Sequence, residues 1–253
     1  MTTLAADKSM SLEVGYRNEI PVIAADIIYE GAAVGDNASG YMRPLVSGDP
    51  FRGFAEEKVD NSSGSAGDKN VRLHTKGIIE LTITGVAITD VGRPVYATDD
   101  NAFSLAGVGS YIGHVYRYVT TNTAMVIFDA NIPEEEVMLS FPIVLSSLAD
   151  GDIVTGFTPG FHGRVKSLRF VTNVVASTAS KLSTLNLEIG TTNLTGGTIA
   201  LTTASCDTLG KITESAAITA AAAFTDADTI SVEASSTTTF IEGDGALIIT
   251  LGK

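Results

Sequence analysis

Short runs in which every second residue is apolar, each closed by glycine or by turn-forming residues, govern what this chain can fold into. In Ile78-Ile79-Glu80-Leu81-Thr82-Ile83-Thr84 the alternation puts Ile79, Leu81 and Ile83 on one face and Glu80, Thr82 and Thr84 on the other, between Gly77 and Gly85. Side chains of a strand alternate with a period of two, so the run reads as a half-buried strand. The same pattern returns in Leu185, Leu187 and Ile189 against Asn186 and Glu188, in Ile230 and Val232 against Ser231 and Glu233, and in Leu247, Ile249 and Leu251. Tyr111 to Val119 and Ala124 to Phe128 make a hairpin across Thr120-Thr121-Asn122-Thr123, whose side chains favour a turn. Only Ala216 to Phe224 has helix propensity, and Thr219 with its strand-rich flanks leaves a short helix and an extended loop equally open.

These signals predict an all-β protein, with a small N-terminal β-barrel-like domain and a C-terminal β-sandwich of jelly-roll kind. Residues 1–25 lack strand periodicity up to Ile20-Pro21-Val22-Ile23 and read as an arm. Residues 26–131 form the first domain and residues 137–253 the second. Three adjacent carboxylates, Glu134, Glu135 and Glu136, repel one another and favour solvent, so the linker is placed at 132–136. The polar run 60–68, Asp60-Asn61-Ser62-Ser63-Gly64-Ser65-Ala66-Gly67-Asp68, is expected to be a mobile loop.

The chain carries a formal charge of −13, with 10 basic and 16 acidic residues in 1–133 and 6 and 13 in 134–253. Nucleic-acid binding needs clustered Lys and Arg to neutralise phosphates, so neither a nucleic acid nor an anionic membrane is expected as a partner. The start of the chain lacks the basic flank and apolar run of a secretory signal, and no stretch reaches about 18 consecutive apolar residues. Synthesis in the cytoplasm is expected. A lone cysteine, Cys206, excludes an intrachain disulfide and reads as a small semi-buried side chain.

Catalytic chemistry finds little support. His74, His114 and His162 are far apart and lack a second ligand at metal spacing; His114 reads as a hydrogen-bonded strand residue and His162 as a surface residue of a turn. The acidic groups Asp99-Asp100, Asp150 with Asp152, and Asp226 with Asp228 supply too few oxygens for calcium and match turn chemistry. A glycoside hydrolase needs two carboxyls at a set separation, and a chain without Trp has no indole to stack on a sugar. The expectation is no enzyme, no catalytic residue, no metal and no cofactor.

Ordered blocks then suggest a family. Ile28-Tyr29-Glu30-Gly31-Ala32-Ala33-Val34-Gly35 is followed by Gly40 to Ala55, with Ser47-Gly48-Asp49-Pro50-Phe51-Arg52-Gly53-Phe54, then by Val91-Gly92-Arg93-Pro94-Val95-Tyr96-Ala97 and by Gly109-Ser110-Tyr111-Ile112-Gly113-His114-Val115. Over about residues 26–130 this succession resembles the capsid decoration (cement) proteins of tailed bacteriophages. The resemblance implies a structural virion protein on the outer surface of the phage head, bridging copies of the major capsid protein, commonly as a homotrimer. Phe51, Phe54 and Tyr96 would fill a small barrel. The arm, through Leu4, Leu12, Val14, Tyr16, Ile20 and Val22, is the expected capsid contact, adding a strand to a capsid sheet edge. Gly151 to Val165 and Leu194-Thr195-Gly196-Gly197-Thr198 look like β-sandwich modules appended to phage head proteins, and the alternative for this part is an adhesion module for host glycans or proteins.

Overall fold

The computed structural model describes residues 15–253, and these are almost entirely strand and turn. The first seven strands are β1 (Arg17–Pro21), β2 (Ile27–Ile28), β3 (Ala33–Asp36), β4 (Met42–Pro44), β5 (Phe51–Ala55), β6 (Val59–Asp60) and β7 (Asn70–His74). Five of them make an antiparallel sheet in the order β1-β7-β5-β3-β4, while β2 and β6 pair separately. Next come β8 (Lys76–Thr82), β9 (Pro94–Asp99), β10 (Ala102–Ser104), β11 (Ser110–Thr120) and β12 (Thr123–Asp129), in the order β10-β9-β11-β12-β8. A parallel bridge between Ile83 and Phe103 joins the two edges of this second sheet, so it curls into a small barrel. Register shifts in β11, at Tyr111/Gly113 and Val115/Arg117, supply the bends that such curvature requires.

Alternation sets which side chains fill the barrel. Leu81, Val95, Ala97, Ile112, Val115, Val126 and Phe128 point inward with Ile83 and Phe103, and Phe51 and Phe54 enter from β5. The rings of Phe54 and Phe128 meet edge to face with centroids 4.9 Å apart, and Phe51 lies 5.2 Å from Phe54. Such pairs contribute about 0.5–1.5 kcal/mol beyond the burial of their area. The opposite face of the β5 sheet covers a second core of Val22, Ile28, Val34, Met42, Val71 and Leu73.

The remaining strands are β13 (Glu136–Val144), β14 (Gly151–Phe157), β15 (Gly163–Val174), β16 (Leu182–Ile189), β17 (Thr192–Thr202), β18 (Ile212–Glu214), β19 (Ala223–Phe224), β20 (Ile230–Thr238) and β21 (Asp244–Gly252). They form two sheets, β13-β21-β15-β18 and β14-β20-β16-β17, with β19 against β15. Leaving β19 aside, eight strands are dealt between two four-stranded sheets in the order that defines a jelly roll. The inner faces contribute Leu168, Phe170, Leu247, Ile249 and Leu251 from one sheet and Leu185, Leu187, Ile199, Leu201 and Val232 from the other, all within one core.

Two expectations from the sequence need correction, and one question left open is decided. Residues 17–21 are a strand and not an arm: β1 pairs antiparallel with β7 from Arg17↔His74 to Pro21↔Asn70, and Val22 is only 2% exposed. The run 216–224 is extended, because its backbone is spent on neighbouring strands: Thr219 N bonds Thr195 O, Val165 N bonds Ala222 O, and Ala223 and Phe224 pair with β15. The polar loop at 60–68 is tied down. Asn61, 1% exposed, donates from Nδ2 to Ile23 O at 2.7 Å and to Ser65 O at 2.9 Å, while its own N–H bonds Asp26 O. A side chain at Gly64 would collide with Asn61 Oδ1, so glycine is required there. The polarity that reads as mobility in the sequence serves internal hydrogen bonding.

An Asn61→Ala change removes both side-chain bonds and leaves Ile23 O and Ser65 O without them, so a loss of about 1–3 kcal/mol is expected. Urea unfolding of the two proteins measures it, and an unchanged midpoint would show that the loop does not depend on this amide.

Candidate functional site

The segment that joins the two halves does not behave as a solvated tether. Three carboxylates in a row cannot all be buried, and the chain separates them: the Glu135 side chain is 70% exposed and that of Glu136 47%, whereas that of Glu134 is 5% exposed. Its oxygens reach both halves. Oε1 accepts from the Tyr96 hydroxyl of β9 at 3.0 Å, and Oε2 accepts from Arg164 Nε at 3.2 Å and Nη2 at 2.7 Å, both on β15. Lys166 Nζ lies 3.2 Å from the same oxygen and also pairs with Glu136.

Arg164 completes the joint by reaching across it. Its guanidinium lies over the Tyr96 ring, 4.4 Å from the centroid, and its Nη1 donates to Gly109 O at 2.8 Å. A charged fork with this many acceptors keeps its hydrogen bonds satisfied although half-buried. Gly107 must be small here, since a Cβ would stand 2.8 Å from Ala223 N. Burial, first, and then the Glu134 charge push the Tyr96 hydroxyl far above the usual phenol range, so it stays a donor. Tyr96, expected to fill the barrel, is instead a strut between the halves. The expectation that residues 132–136 lie in solvent holds for Glu135 and fails for Glu134.

The sequence-predicted contact residues are dispersed. Leu4, Leu12 and Val14 lie outside the described residues. Tyr16 is 44% exposed just before β1, Ile20 packs against the second core, and Val22 belongs to that core. Of the described three, only Tyr16 has a face free for a partner, because Ile20 and Val22 are used inside the sheet that they help to build.

The histidines and acidic groups do not converge, and among the described residues no three His, Cys, Asp or Glu side chains are placed to hold one metal ion. His114 is a strand residue whose Nδ1 lies 3.0 Å from the Tyr111 hydroxyl, and burial holds its pKa below the usual value. His162 is half-buried and not a free surface residue, and its Nδ1 has no partner among the described residues. Asp150 and Asp228 do what turn residues do, Asp150 accepting from Thr237 N at 2.8 Å and Asp228 from Thr225 N at 2.7 Å. Cys206 is fully buried, and that burial raises its thiol pKa.

Asp99 and Asp100 behave differently, since their carboxyls face each other. Burial and the neighbouring Asp99 push Asp100 up to about 6, while the hydrogen bond from Asp100 holds Asp99 low. The pair sits where the two sheets of the first half meet: Val46 bridges Asp99, and Ala33 N bonds Asp100 O at 2.8 Å.

No protein-family model and no curated protein matches the chain. Solved structures that match include one of infectious bursal disease virus, Gt strain, at 7% identity over 98% of this chain and 74% of that chain, with a TM-score of 0.23. Another is of the Gx strain of that virus, at 10% identity over 94% and 70%, with a TM-score of 0.21. A third is the crystal structure of the VP2 subviral particle of infectious bursal disease virus, at 9% identity over 98% and 74%, with a TM-score of 0.22. TM-scores at this level do not amount to a shared fold. The architecture rests on the chain's own strand order.

Two outcomes are expected. Arg164→Met leaves Glu134 charged and buried with its main partner gone, costing about 3–5 kcal/mol, whereas Glu134→Gln with Arg164→Met together recovers much of the loss. A double-mutant cycle in guanidinium chloride measures both, and additive effects would mean that the two groups are not coupled.

For Asp100, a carboxyl with a folded pKa near 6 against 3.8 unfolded stabilises the fold fully below about pH 4, and that contribution is lost as pH rises through 6. Asp100→Asn, which mimics the protonated form, should flatten the fall in melting temperature between about pH 4 and 6. Identical pH profiles would rule out a retained proton.

Proposed function

We propose that this chain is a structural virion protein that binds the outer surface of a tailed-phage head and stabilises the capsid lattice. Its partners on this reading are the major capsid protein and further copies of itself, in a homotrimer. It is made in the host cytoplasm, performs no catalysis, and engages neither nucleic acid nor membrane. The sequence blocks between residues 26 and 130 bring the reading forward, and the joint at Glu134 carries it.

A protein that braces a shell has to pass force from the part that grips to the part that projects. Here the junction is a buried carboxylate bonded to Tyr96 in one half and to Arg164 in the other, and not a flexible run. A tether of solvated residues would let the halves move independently. The acidic surface supports an outward position, since like charge disfavours contact with packaged DNA.

Heads prepared without the protein provide the test. Added chain should sediment with them to a saturating copy number that is a multiple of three per lattice unit, and should raise the temperature at which heads release DNA. Failure to sediment with heads at micromolar concentration would sink the reading. Removing residues 1–14 should weaken binding at least tenfold while the protein still folds, because β1 and Val22 remain in place.

One observation favours the adhesion alternative for the second half. Pro142, Ala246, Val171 and Ile212 sit in one cross-strand row on the outer face of the sheet β13-β21-β15-β18, with Ile212 59% exposed. An apolar row of this kind suits a protein partner better than a glycan. Binding of the full chain to intact host cells, abolished by Ile212→Asp without loss of head binding, would favour that role.

A further inference from the structure

Among the described residues, the sheet edges are blunted at every place but one. β1 carries charges, β4 and β18 are three residues long, and β2 and β6 only two. β14 is broken by two register shifts, β17 is covered at Thr195 by the run through Ala220, and the barrel joins its own edges at Ile83 and Phe103. Such devices keep unpaired backbone groups from recruiting further strands. β13 has none of this strength: its nine residues run in unbroken register with β21, no charged side chain follows Glu136, and among the described residues no strand pairs with its other side.

The hydrogen bonds at the two ends of the ladder fix which groups are free. Lys253 N donates to Glu135 O at 2.8 Å and Leu145 N to Gly243 O at 2.9 Å, both in register with the pairing of β13 and β21. Bonded and non-bonded pairs alternate along an antiparallel ladder, so Val137, Leu139, Phe141 and Ile143 are spent on β21. Glu136, Met138, Ser140 and Val144 aim their N–H and C=O groups the other way, although Val144 O also accepts from Ser147 Oγ. Pro142, which has no N–H, falls in this outward set, where β21 loses nothing by it. The side chains leave the same margin open. Val137, Leu139 and Phe141 on β13 and Ile153 and Phe157 on β14 are only partly buried against the core, with the rings of Phe141 and Phe157 5.7 Å apart. These strands end their respective sheets, so the core is exposed along a seam between them.

We propose that β13 pairs antiparallel with β13 of a second copy about a two-fold axis at Ser140, joining the two sheets β13-β21-β15-β18 into one. This register overlaps the whole strand and is self-complementary. Towards the cores it sets Val137 against the partner's Ile143 and Leu139 against the partner's Phe141, closing both seams with apolar side chains. On the outer face Met138, 70% exposed, meets the partner's Pro142, and the small Ser140 meets its own copy. The one charge, Glu136, stands opposite the partner's Val144, and the two glutamates fall at opposite ends of the paired ribbon, so no like charges oppose each other. Every outward residue exchanges backbone hydrogen bonds with its partner, short only of the donor that Pro142 lacks. A foreign strand has no reason to carry this match, whereas an isologous contact presents each residue to its own complement and closes at two copies.

This two-fold contact lies on the second half and is distinct from the three-fold association proposed on the head. Sedimentation equilibrium of the free, full-length protein, from nanomolar to high micromolar concentration, tests it. The wild type should pass from single chains to pairs. Ser140→Lys and Ser140→Glu, both on the exposed face, set like charges opposite each other at the axis and should each weaken association at least tenfold. Mixing the two variants sets opposite charges there and should restore association to within about threefold of the wild type. A wild-type mass that stays that of one chain throughout would overturn the proposal and leave the edge to a strand of another protein. Association that neither charge weakens, or that mixing does not restore, places the contact elsewhere and overturns it as well. Head binding enters none of these outcomes, so the capsid reading stands or falls separately.

Discussion

A single buried carboxylate makes one body out of what would otherwise be two. Glu134 sits between a barrel and a jelly roll, each with a core of its own, and those cores supply little reason for the halves to hold a fixed relation. Burying a charge costs several kcal/mol, so the arrangement is tolerable only because Tyr96, Arg164 and Lys166 all converge on the same group. What this buys is orientation. Each donor comes from a rigid strand, and moving either half by an ångström breaks more than one bond. An apolar contact of equal area would hold the halves together while letting them slide.

Local order was largely legible in the sequence, and long-range pairing was not. The alternation around Leu81 and Leu187 fixes both strand and buried face, and β8 and β16 emerge where it places them. The hairpin of β11 and β12 follows from its turn residues. The jelly roll also fits the short, evenly spaced strands of residues 137–253. By contrast, Glu134, Glu135 and Glu136 are chemically identical neighbours, and only the position of Arg164 and Lys166, thirty residues on, distinguishes the first. Asn61 hides in the same way. A polar run rich in glycine and serine reads as solvent-facing, and nothing local reveals that the Ile23 carbonyl waits 2.7 Å from its amide. Both misreadings share a cause: polarity marks a need for hydrogen bonds without saying whether water or protein meets it.

The acidic pairs show the complementary case, in which the sequence reading of turn chemistry survives contact with the structure at Asp150 and Asp228. Asp99 with Asp100 goes further than a turn requires. Its location at the contact of two sheets means that a change in its charge is felt by backbone pairing on both sides, through Val46 and Ala33. The pair thus stands at the contact of the two sheets, a location that an isolated turn carboxylate lacks.

The placement of β1 changes what the N-terminal stretch can do for any partner. Val22 is core and Ile20 leans on it, so of these three described residues only Tyr16 presents a free face. Among the described residues no strand pairs with the outer edge of β1, and this strand presents Arg17, Asn18 and Glu19, all exposed and two of them charged. Charged side chains on an edge strand oppose the addition of a further strand. The sheet edge itself is therefore a poor docking rail, and a partner is better served by faces of the molecule other than the edge of β1.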